Sequence, residues 1–173
     1  MSIQTDSGRF PVERIGLLER TLLEVLGLLI APTRKFSGKI DGDDIVYYEA
    51  NTIKFGRTYY LSQDVLEISN PETHLKTTIG RHHVKHGFEY VMKEQSQGNT
   101  VTYRPDFVVV QTPSGVLTYY SNVIMNEKDE RINDENLRQR YYDRRIEKLA
   151  YAMNTFNDYL RRIENIKSQV ELR

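Results

Sequence analysis

The chain has 173 residues, enough for one domain with a substantial core, whereas two domains of half that length would each be small. Lys plus Arg number 24 and Asp plus Glu number 24, so no net charge draws the protein toward a nucleic-acid backbone or an acidic membrane surface. Cysteine is absent, which excludes disulfide frameworks and thiolate metal sites and leaves His and carboxylates as the available metal ligands.

Met1 to Phe10 lacks the basic, apolar and small-residue order of a secretory signal. The most apolar stretch, Ile15 to Ala31, carries Glu19, Arg20 and Glu24 and is shorter than the roughly 20 residues a spanning helix needs. These features predict a soluble, cytoplasmic protein with no membrane partner. A first helix is predicted over 10–31. Pro11 suits a first helical turn, Ile15, Leu18, Leu22, Val25 and Leu29 step by three and four, and Pro32 ends the run.

From Thr33 the apolar period becomes two, and 33–125 reads as a β-rich body. Asp41-Gly42 separates Lys35–Ile40 from Ile45–Tyr48 and supplies the positive φ angles of a tight hairpin. Ile53 to Tyr60 is a further β-rich run with Gly56 at a bulge position. Ser69-Asn70-Pro71 breaks the chain before Leu75–Ile79, and Gln95 to Asn99 joins Phe88–Lys93 to Thr100–Tyr103. Thr112-Pro113-Ser114-Gly115 fits a type I turn between Asp106–Gln111 and Val116–Tyr120.

The last segment, 130–171, reads as one long helix with Asn133 or Asp134 as its cap. Tyr142, Ile146, Leu149, Met153, Phe156, Leu160 and Ile163 alternate steps of four and three, which is a coiled-coil seam. The first helix is about half as long, so part of this seam must meet the sheet or another copy of the chain. The expected class is α+β: a mostly antiparallel sheet or small curled barrel flanked by two helices, in a single domain over 1–173.

Four Tyr-Tyr doublets stand at 47/48, 59/60, 119/120 and 141/142. Adjacent strand residues point to opposite faces, so each strand doublet is expected to turn one ring inward and one outward. Tyr47, Tyr59 and Tyr119 are the candidate outward contacts, and with no net charge they favour protein over nucleic acid as partner.

Tyr103-Arg104-Pro105-Asp106-Phe107, followed by valines, a turn and a second apolar strand, resembles the core hairpin of the PD-(D/E)XK nuclease superfamily, in particular its TnsA type. The resemblance implies a mixed sheet and a Mg²⁺ site in which Asp106 is the first carboxylate, with Glu89 standing as the upstream acid. The family's Glu-x-Lys half is missing, because Tyr120-Ser121-Asn122-Val123 occupies its place. A lone Asp gives a cation too few oxygens. All four His lie at 74, 82, 83 and 86, where Arg81 and Lys85 disfavour a metal and an exposed polar loop is expected. No P-loop, dinucleotide fingerprint, HExxH or nucleophile-elbow motif is present. The sequence thus predicts a non-enzymatic, self-associating assembly protein without cofactor or metal, of the kind found in phage or virus necks, tails and baseplates. A nucleic-acid-binding protein of degenerate nuclease type is the alternative.

Overall fold

Ten strands follow one another in a single antiparallel meander, each paired with the next in sequence, in a computed structural model that describes residues 33–51, 62–84 and 86–171. They are β1 (Thr33–Ile40), β2 (Asp43–Asn51), β3 (Ser62–Ser69), β4 (Lys76–Val84), β5 (Gly87–Ser96), β6 (Asn99–Tyr103), β7 (Val108–Thr112), β8 (Gly115–Tyr119), β9 (Ile124–Asn126) and β10 (Arg131–Ile132). One long helix follows, α1 (Glu135–Glu171). The α+β class with a mostly antiparallel sheet therefore holds. The predicted first helix over 10–31, the Ile53 to Tyr60 run and Tyr59 all lie outside the described residues.

Turn chemistry sets the meander. Asp41 and Gly42 adopt φ of 53° and 85°, and Gln97 and Gly98 adopt 49° and 80°, the left-handed pairs that close two-residue hairpins. The Thr112-Pro113-Ser114-Gly115 turn is also present, with Thr112 and Gly115 paired across it. Between β3 and β4, the Asn70 side-chain oxygen accepts from the backbone N–H of Glu72 and of Thr73, which bends the chain at the predicted break. The sheet runs on through β9 and β10, past the expected end of the body at 125. The helix accordingly starts at Glu135 rather than 130, where Asp134 Oδ1 accepts from the Leu137 N–H at 3.0 Å.

Register lines up one apolar row across the sheet: Tyr47, Leu66, Ile79, Met92, Tyr103, Val108, Tyr119 and Ile124 are successive cross-strand partners. All of them belong to the core cluster, together with Ala152, Phe156 and Ile163 of α1. The next residue along gives Tyr48, Val65, Gly80 and Val91 on the opposite face. These are buried as well, so both faces of the β2–β5 region are shielded from water.

At about 1.5 Å per residue, the 37 residues of α1 reach roughly 55 Å. That exceeds the roughly 43 Å width of ten strands, and the helix crosses the whole sheet. At its start, Arg138 donates to the Tyr120 and Ser121 carbonyls and Tyr141 stacks on Tyr119. In the middle, Lys148 Nζ pairs with Glu94 at 2.6 Å. Toward its end, Phe156 meets Tyr47 and Tyr90 edge-on, and Arg162 reaches Asp41 in the β1–β2 turn.

Candidate functional site

The seven-residue pattern on α1 is divided between the inside and the outside of the protein. An α-helix that does not supercoil drifts by about 20° for each seven-residue step. A row of residues seven apart therefore rotates slowly relative to the sheet below. Ile146 is 65% exposed, Met153 is 42% exposed, and Leu160, seven further on, packs against the core. The companion row behaves alike: Tyr142 and Leu149 are half-buried, whereas Phe156 and Ile163 are each 1% exposed. Of the seven predicted seam residues, Phe156 and Ile163 are thus intramolecular core and not available to a partner. Leu149 and Leu160 pack on that core. Tyr142 lies beneath the Arg145 guanidinium, 3.7 Å from its ring centre. Ile146 and Met153 remain outside, on a flank that α1 turns away from the sheet.

The tyrosine expectation needs correction in detail. Tyr47 and Tyr119 are both buried, because their registers place them in the row beneath α1. Tyr48 faces the other way and is buried too, while Tyr120 is the outward ring of its pair, tilted against Phe107. Burial, and secondarily the Asp64 carboxylate, pushes the Tyr47 hydroxyl up to about 12.

Sequence reasoning missed a charged cluster beneath the helix. Asp64 and Arg81 are direct cross-strand partners on β3 and β4, and both face α1. Asp64, 3% exposed, accepts on one oxygen from Arg81 Nε at 3.0 Å and from an Arg81 terminal nitrogen at 2.7 Å. The same oxygen lies 3.2 Å from His83 Nε2; an ionised carboxylate only accepts, so Nε2 carries the proton. The Arg81 guanidinium lies between two rings, 4.5 Å from the centre of Phe88 and 4.7 Å from that of Phe156. Burial opposes its charge most strongly, but the hydrogen bonds to Asp64 and the negative charge of that carboxylate together outweigh it and hold its pKa above the ordinary value. The only signal in the sequence was Asp64 at an inward position of an apolar strand, which becomes legible once the register pairs it with Arg81. The cluster ties β3 and β4 to α1 through the contact of Arg81 with Phe156.

The remaining candidates are dispersed. His82 and His83 lie in β4 and not in a loop, with only His86 in the tight turn that follows. Asp106 is exposed in the β6–β7 turn and Glu89 is exposed on β5. Among the described residues no group of three or more His, Cys, Asp or Glu is placed to hold a metal ion. Every strand pairing among the described residues is antiparallel. A cavity of about 310 Å³ beside the start of α1 is lined by Asn122, Ile132, Asp134 and Arg138 among others. Three of its charged groups are engaged, since Asp134 caps the helix and Arg138 pairs with Glu135, and Arg131 is exposed beside them. No described helix is long and apolar enough to cross a membrane. No family model, no curated protein and no solved structure matches the chain.

Proposed function

We propose that the protein is a non-enzymatic assembly subunit that associates through the outer flank of α1. Rings or tubes such as phage and virus particles build from subunits of this kind are the setting it suits. One observation carries the reading: Ile146 and Met153 are exposed on a helix whose other outward positions are rich in charge. An exposed Ile on such a helix gains nothing for the isolated chain and gains roughly 25 cal/mol for each Å² of apolar surface that a partner covers. Phe88 and Val84, exposed at the β4–β5 hairpin, add a second apolar contact at the sheet end.

The reading is tested by the mass of the purified protein in solution at micromolar concentration, measured by sedimentation alone and with lysate-derived particles. Association is expected. A strict monomer that joins no particle would overturn it.

A further inference from the structure

The exposed flank of α1 has a spacing that reads the same in both directions. Gln139, Ile146, Ala150, Met153, Asn157 and Glu164 are all exposed, and their separations run seven, four, three, four and seven. At 3.6 residues per turn these six residues fall on one side of the helix. From Gln139 to Asn157 the strip carries no charge, although Asp143, Glu147 and Arg161 stand close by on the outer surface. A palindromic strip can face itself across a twofold axis, and an uncharged one meets no like charge when it does.

We infer that the partner of this flank is a second copy of the chain, with the two α1 helices antiparallel. The palindrome fixes the register. Ile146 of one copy meets Asn157 of the other, Ala150 meets Met153, and Gln139 meets Glu164. The small Ala150 leaves the room that Met153 fills, and the Gln139 amide donates to the Glu164 carboxylate. At the rim, the same register brings Asp143 of one copy beside Arg161 of the other, twice by symmetry. Among the described residues the exposed Asp143 carboxylate has no ion pair, and Arg161 pairs only with Asp158, one turn back on its own helix. The charge pattern therefore complements itself in the antiparallel arrangement and in this register. This inference rests on the assembly reading and specifies its first contact.

A charge-swap cycle tests it. Asp143→Arg and Arg161→Asp are both surface changes, and circular dichroism should show each variant folded as the unaltered protein is. Each alone places two like-charge pairs at the rim, so the dissociation constant measured by sedimentation should rise about tenfold or more. An equimolar mixture of the two variants restores both pairs, as does the double variant, and association should return in each case. Single variants that associate as tightly as the unaltered protein, or a mixture that fails to reassociate, would overturn the antiparallel pairing while leaving assembly intact. An unaltered protein that stays monomeric throughout would overturn the pairing, and one that also joins no particle would overturn the assembly reading with it.

Discussion

The two halves of α1 carry the same seven-residue pattern and use it differently. Toward its end the pattern is core: Phe156 and Ile163 lie under the sheet with Ala152 beside them, and Phe156 is boxed by Tyr47, Tyr90 and the Arg81 guanidinium. At Ile146 and Met153 the same spacing leads out to water. The difference teaches that a heptad seam on a straight helix is not one surface. Because the seam drifts by about 20° per repeat, one end can serve folding and the other association.

Substitutions should separate these roles, beginning with the largest effect. Phe156→Ala in the inner half is expected to cost about 3–5 kcal/mol by equilibrium denaturation. Phe156→Asp and Leu160→Asp should prevent folding rather than disperse an assembly. Ile146→Asp, at the outer end, should leave the denaturation midpoint within about 0.5 kcal/mol of its original position. Asp64→Asn is expected to rank beside Phe156→Ala at about 3–5 kcal/mol, because it leaves the buried Arg81 without its counter-charge. His83→Ala should cost far less, since His83 is half-exposed and Arg81 continues to hold the carboxylate.

Alkaline stability comes next in size. The hydroxyl of Tyr47 is pushed up to about 12 in the folded protein, against an ordinary value near 10. Between these values the unfolded chain loses its proton while the folded one keeps it. The contribution of Tyr47 is therefore complete below about pH 10 and falls as the pH rises toward 12, by about 2–3 kcal/mol in all. Tyr47→Phe should remove that part of the alkaline loss, seen as a flatter dependence of the unfolding midpoint on pH. A smaller loss belongs to the start of the helix, where Asp134→Ala removes the cap and should cost about 1 kcal/mol.

Much of the sheet was legible because its turns carry their own chemistry. Asp41-Gly42, Asn70-Pro71, the Gln97-Gly98 turn and Pro113-Ser114-Gly115 each punctuate the chain where a strand ends. The short β9 and β10 carried no such alternation over their three and two residues, so β9 straddles the expected end of the body at 125 and β10 falls inside the expected helix. The side that each tyrosine faces was not legible. Alternation separates Tyr47 from Tyr48 but does not say which face is wet, and here neither is. The heptad on α1 was legible as a pattern but not as a partition between core and flank. That partition depends on where a straight helix lies on a sheet whose register only long-range pairing sets.

The most direct test of the partition is a paired measurement on Ile146→Asp: its sedimentation mass and its denaturation midpoint under the same conditions as the unaltered protein. An unchanged midpoint with association lost is the predicted result. A large fall in the midpoint, or association undiminished, would contradict the assignment of this flank to a partner.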